Sequence, residues 1–303
     1  MRLKQFILNE ASFSIGLEEP ALQITQKVNG SDRYAVSLGE ELEYEVKFRN
    51  VGDVPFRNLF AAVRLNGDLF DLSTIRVNKG DVDASASTVM WDANDVSMLK
   101  LLAPGEEGIV KFKINIREDI PREFLNPGLI TKIIIGKTQK EFITRINSKL
   151  GLKQSLQIDD DIFLSSGPVP LRVQVPSTVT VFWDVKNYFN EVENVEVVAT
   201  MPSNVEFLGT ISPESEQDNL TLSGNQLKWK INQVAAGTGI MEKRKIIAFQ
   251  IKITPFGLDK GKYMKIFGDV SIKGMDSWTD NDLRSNVSDL KTSSLGEIVG
   301  KVK

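Results

Sequence analysis

The chain repeats itself at an interval near 137 residues, and this limits the possible folds more than any composition value does. Asn50-Val51-Gly52-Asp53 closes one alternating stretch, and Asn187-Tyr188-Phe189-Asn190 closes another. Around these anchors Asn58 matches Asn194, Leu72–Ile75 matches Leu208–Ile211, and Trp91 matches Trp229. Phe112–Ile116 then matches Phe249–Ile253, and every offset lies between 136 and 138. Self-similarity at a fixed period points to copies of one module, and tandem modules build spacers or binding surfaces.

Each copy carries the periodicity of strands. Leu42, Tyr44, Val46 and Phe48 alternate with Glu41, Glu43, Glu45, Lys47 and Arg49, which is a period of two with one wet face. An antiparallel sheet covering a core requires this pattern. Val110, Phe112, Ile114 and Ile116 alternate in the same way, as do Val179, Val181, Trp183 and Val185, and Ile247, Phe249, Ile251 and Ile253. Phe182 departs from it, falling on the face that carries Asp184 and Lys186. Asn29-Gly30, Asn66-Gly67-Asp68, Lys79-Gly80-Asp81, Pro104-Gly105 and Gly237-Thr238-Gly239 supply the turns. Helical spacing is confined to Asp95–Leu102.

The pattern predicts an all-β chain of two tandem immunoglobulin-like antiparallel β-sandwiches, at residues 20–149 and 150–303. A length of 303 residues leaves each a core of its own. Residues 1–19, where Phe13, Ile15 and Leu17 alternate, read as an N-terminal strand or the end of an upstream module. Residues 150–170 read as linker and lead-in, stiffened by Gly167-Pro168-Val169-Pro170. The acidic centre of that stretch is expected to be solvated, leaving the angle between domains variable.

Two absences narrow the chemistry. The chain has no cysteine and no histidine. This removes disulfides, thiolate nucleophiles and most transition-metal sites, together with the usual general base near neutral pH. A net charge of −3 offers no basic face for nucleic acid. No apolar run is long enough to span a bilayer, and Phe6-Ile7-Leu8 is cut short by Asn9-Glu10, unlike a secretory signal. No cofactor is expected. Calcium is the one ion that acidic clusters suit, and the candidates are Asp159, Asp160 and Asp161, and Asp276, Asp280 and Asp282. Neither cluster matches a twelve-residue calcium loop, and solvated acidic turns are common. Asn29-Gly30-Ser31, Asn219-Leu220-Thr221 and Asn286-Val287-Ser288 fit the glycosylation acceptor pattern and mark exposed loops. Trp91 and Trp229 read as core aromatics at one shared position. Asn50 and Asn187 read as strand-end residues that fix the next turn, and Phe189 in place of Gly52 requires a different turn in the second copy.

Leu38–Asp53 resembles the opening of the Ig-like repeats in large bacterial and archaeal surface proteins, through Gly39, Tyr44, Asn50 and Gly52. Val179–Asn187 through Ala248–Pro255 is similar to the divergent modules that end surface proteins of small uncultivated bacterial lineages, without the glycine after Asn187. The resemblance spans about residues 20–290 and implies a fold and an extracellular or envelope-exposed, non-catalytic setting, with any anchor outside the repeats. The expected role is a structural spacer or adhesive module whose partner is an unidentified protein or glycan at the cell surface. A carbohydrate-binding module using Phe182, Tyr188 and Trp278 is the alternative. A carboxylate-dependent enzyme is a third reading.

Overall fold

The computed structural model describes residues 21–118, 127–158 and 160–303; the N-terminal segment 1–19 and Asp159 lie outside them. The first half runs Leu22–Val28 (β1), Ala35–Val36 (β2), Glu41–Asn50 (β3), Phe56–Arg57 (β4), Ala61–Asn66 (β5) and Phe70–Val77 (β6). It continues through Asp81–Asp83 (β7), Thr88–Trp91 (β8), Leu101–Leu102 (β9), Glu107–Ile116 (β10), Gly128–Ile135 (β11) and Thr138–Ile146 (β12). The second half holds Leu150–Gln157 (β13), Ser177–Asn187 (β14), Val192–Thr200 (β15), Val205–Ser212 (β16) and Leu220–Ser223 (β17). Gln226–Val234 (β18), Lys245–Ile253 (β19), Lys265–Asp276 (β20), Asn281–Val287 (β21) and Leu290–Lys291 (β22) complete it. Among the described residues no helix is long and apolar enough to cross a membrane.

The chain is all-β, built as sandwiches of antiparallel sheets. One sheet of the first half has the order β1-β3-β10-β6, and its counterpart in the second half is β13-β14-β19-β16. The facing sheets run β2-β12-β11-β5-β8-β7 and β21-β20-β15-β18-β17. The two orders match strand for strand, except that β2 is added parallel to β12 in the first half and β22 pairs with the start of β20 in the second. Strict alternation drives this. Every second residue of β1 and of β10 is buried, so one face of each strand meets the core and the other meets water.

Each half packs its own aromatic centre, and the two centres differ by one step of the pleat. Tyr44 stacks on Phe112 with ring centroids 4.8 Å apart. Val181 faces Phe249 at the same register point, and the large ring comes instead from Trp183. Trp183 meets Phe249 edge-on at 5.0 Å and lies 6.4 Å from Trp229. Trp91 and Trp229 are 3% and 0% exposed and sit on corresponding strands, opposite Ala61 and Val197. Gly80, at φ +107°, lies directly against the Trp91 indole, where a Cβ would come within 2.6 Å of the ring. Asn58 and Asn194 are both left-handed, with φ of 51° and 52°. In β15 this kink falls where the register against β18 and β20 skips. Asparagine tolerates that conformation better than other side chains, so its return at the same offset has a backbone cause.

Leu150–Gln157, the opening of the stretch expected to be linker, is strand β13 and pairs with β14 along its whole length. Its polar Lys153, Gln154 and Ser155, with Gly151, hide the alternation that Leu150, Leu152 and Leu156 carry into the second core.

Glu216 shows how a charge is held in the second half. It is 5% exposed, accepts the Trp229 indole N–H at 2.9 Å, and also receives Asn219 and Lys245. Burial works to raise its carboxyl, but the bonds from Lys245, Trp229 and Asn219 outweigh it and hold it below the ordinary value of 4.5. A depressed carboxylate stabilises the fold fully above its unfolded pKa, and this is lost as pH falls through the folded value. Urea unfolding followed from about pH 6 to pH 3 should therefore show falling stability, with a shallower slope for Glu216→Gln. An unchanged slope would refute this. Trp91→Ala and Trp229→Ala should each cost about 3–5 kcal/mol, read from the same transitions; losses below about 1 kcal/mol would contradict the core assignment.

Candidate functional site at the joint between the sandwiches

Only Asn147–Lys149 separate β12 from β13, so the halves meet at close quarters. The contact is organised by the asparagine that ends each second strand. Asn50 is fully buried, donates to the carbonyls of Val54 and Leu102, and accepts the Gly52 amide at 3.0 Å. Asn187 is also fully buried and donates to the carbonyls of Asn190, Val234 and Ala235. Its acceptor oxygen is used differently. The Ser148 hydroxyl donates to Asn187 Oδ1 at 2.6 Å and accepts the Phe189 amide at 2.9 Å. A side chain from the connection has thus entered the turn that the first half closes on itself.

Freed from that turn, Phe189 points across the joint. It is 1% exposed and belongs to the first half's core, with Tyr188 packed beside it. Burying such a ring contributes about 1.5–3 kcal/mol. Asp276, 0% exposed, also belongs to the joint. Its Oδ2 accepts the Ser148 amide at 2.7 Å and Asn190 Nδ2 at 2.8 Å, and its Oδ1 accepts the amides of Trp278 and Thr279. Asn190 Nδ2 also donates to the Ile146 carbonyl, so the network spans both halves. At the rim, Arg145 lies over the Trp278 ring at 4.6 Å and donates to the Trp278 carbonyl, and Asn281 donates to Asn147. A variable angle was the expectation for this region. The halves share a buried polar network here, and rotation would leave buried donors and a carboxylate unpaired, at about 1–3 kcal/mol each.

Beside the joint a groove of about 850 Å³ opens between β13 and β21. Lys149, Lys153, Lys186 and Arg284 line it, against the single acid Asp282. Leu152 and Leu283 lie at its base and pack on the second core.

The residues singled out from sequence fall in several places. Asp160 accepts the amides of Ile162 and Phe163, both at 2.8 Å, as a turn cap, and Asp161 is exposed. Asp276 is spent on four protein donors, whereas Asp280 and Asp282 are exposed. Among the described residues no group of three or more acidic side chains converges as a cation site. Phe182, Tyr188 and Trp278 make no flat aromatic row: Phe182 is half-buried within β14, Tyr188 backs the first core, and Trp278 lies under Arg145. Sequence reasoning missed Ser148, Asn190 and the role of Asp276. The available signal was the missing glycine after Asn187.

No protein-family model matches the sequence, and no curated protein does. Among solved structures, the C-terminal domain of the Streptococcus pyogenes antigen I/II-family protein AspA is similar, at 8% identity and a TM-score of 0.37, covering 90% of this chain and 99% of that one. A likeness at that score carries no argument, so function rests on the joint itself.

Asp276→Asn should destabilise the protein by roughly 2–4 kcal/mol, because either orientation of the amide turns an NH₂ toward two donors. Asp280→Asn, exposed, should be near neutral. Equal urea midpoints for the two variants would contradict the network.

Proposed function

We propose that the chain is a non-catalytic spacer of the cell surface, holding what lies at its two ends at a set distance and angle. One observation carries this reading: the halves share a buried polar network and an exchanged phenylalanine where a flexible link would leave solvated chain. Small contacts between domains ordinarily permit relative motion. A joint that buries a carboxylate and a ring resists it. The carboxylate best placed for chemistry by burial, Asp276, is saturated with hydrogen bonds. The absence of histidine and cysteine leaves no imidazole base or thiol nucleophile beside it, and the Ser148 hydroxyl is spent on Asn187 and the Phe189 amide. Surface exposure is consistent with the resemblance of Leu38–Asp53 to surface-protein repeats.

The lack of native cysteine makes the test direct. Spin labels on Lys79→Cys and Ser223→Cys, one exposed site in each half, report the spread of distances between them. The parent protein should give one narrow distribution, and Phe189→Ser combined with Ser148→Ala should broaden it. A broad distribution in the parent would overturn the spacer reading.

A further inference from the structure

The groove beside the joint is walled by a hairpin that is longer in the second half than in the first. β1 and β13 are outermost strands. Leu22 and Leu150 face Asn50 and Asn187, so Ile24 and Leu152 occupy one place in the fold. The Lys140 ammonium donates to the Ile24 carbonyl at 3.0 Å and closes the seam between β1 and β12. In the second half Ile272 faces Val197 as Ile135 faces Ala61, which puts Val287 at Lys140's place. β20 then runs on to Asp276, and the longer hairpin carries Leu283 and Arg284 beside β13 as a wall of the groove.

β13 keeps a free hydrogen-bonding edge beside that hairpin. The Asn187 amide turns away from β13 to the Thr238 carbonyl, so Leu150 and Leu152, by the antiparallel pattern, turn their own N–H and C=O away from β14. Among the described residues no strand hydrogen-bonds to that edge. An unpaired edge of this kind accepts an added strand. Gly151 has no side chain to obstruct it, and a Cβ there would meet nothing within 4 Å. The rim sets the chemistry. Among the described residues Lys149, Lys153, Lys186 and Arg284 form no ion pair, although the sheet faces elsewhere are laced with them. Lys149 lies over the Tyr188 ring at 6.0 Å, a cation–π contact at the limit of its range.

We propose that this groove binds an extended acidic peptide segment, which adds a short strand to the edge of β13 at Leu150–Lys153. Its alternate apolar side chains rest on Leu152 and Leu283, and its carboxylates meet the cationic rim. An edge that offers backbone hydrogen bonds above an apolar base favours polypeptide over an acidic glycan, which would use the charges alone.

Titration calorimetry on the full chain tests this with three probes: a synthetic peptide of alternating glutamate and valine, its lysine–valine analogue, and polygalacturonate. The glutamate peptide should bind, with amide shifts centred on Leu150–Lys153 in NMR spectra, and the lysine peptide should not. Leu283→Lys, which removes an apolar contact from the groove, should weaken peptide binding about tenfold or more without lowering the thermal midpoint. Lys153→Glu with Arg284→Glu should do the same and serves as the second reading if Leu283→Lys lowers that midpoint. No binding of the glutamate peptide, or binding that both variants leave unchanged, would overturn the proposal. So would polygalacturonate binding as tightly as the peptide and ignoring Leu283→Lys, because charge alone would then explain the site.

Discussion

Much of this structure depends on a buried asparagine amide at the end of a central strand. A strand that stops inside a sandwich leaves carbonyls of the facing strand and of its own loop without partners, and these are costly away from water. Asn50 and Asn187 answer that need with one side chain each, joining the strand end to Leu102 or Val234 across the core and to a carbonyl three or four residues ahead. A shorter polar side chain does not reach, and an apolar one leaves the carbonyls bare. The amide donors thus do the same work in both halves. The acceptor oxygen is the part free to vary.

That variation makes the joint. In the first half Gly52 returns its amide to Asn50, and the space beside it is too small for a side chain, since a Cβ would lie 2.9 Å from that of Ala21. Phe189 cannot take that compact turn, so its amide finds the Ser148 hydroxyl and its ring finds the neighbouring core. The substitution removes a local bond and gains a bond and a ring contact across the joint. Asp276 completes the arrangement, its two oxygens accepting four N–H groups. A buried carboxylate stabilised this way demands exact placement of its donors, which come from both sides of the joint. Relative orientation of the halves is therefore a condition of satisfying the network, not a by-product of packing.

Much of the sandwich architecture was legible in the sequence, because alternation is a local signal and survives in β3, β10, β14 and β19. The tryptophans were legible for the same reason, since a large apolar residue at one offset in two copies has few surface explanations. β13 was not, because glycine and three polar residues mask the period that its partner β14 imposes. The joint was half legible. The loss of Gly52's counterpart announced a changed turn, but nothing local to Phe189 shows that its space lies in another core. Asp276 misled for a related reason. An aspartate near a hairpin tip reads as solvated, and only the docking of Ser148 and Asn190 makes it an interior acceptor.

Function in a chain of two similar units belongs where the units differ, because what they share serves the fold. The strand order, the buried asparagines and the core tryptophans are shared. Two features at one end of the second half are not: Phe189 for Gly52, and the hairpin of β20 and β21, which runs past the point where β11 turns into β12. The first replaces a residue with which the first half closes a tight turn, and the second brings Asp276 into the joint and Leu283 to the groove. The first change opens the second half toward its neighbour, and the second stands beside the free edge of β13. They lie within one stretch of surface, with Tyr188 backing the first core and lining the groove at the same time. A segment seated in that groove would rest against the elements that set the angle of the joint.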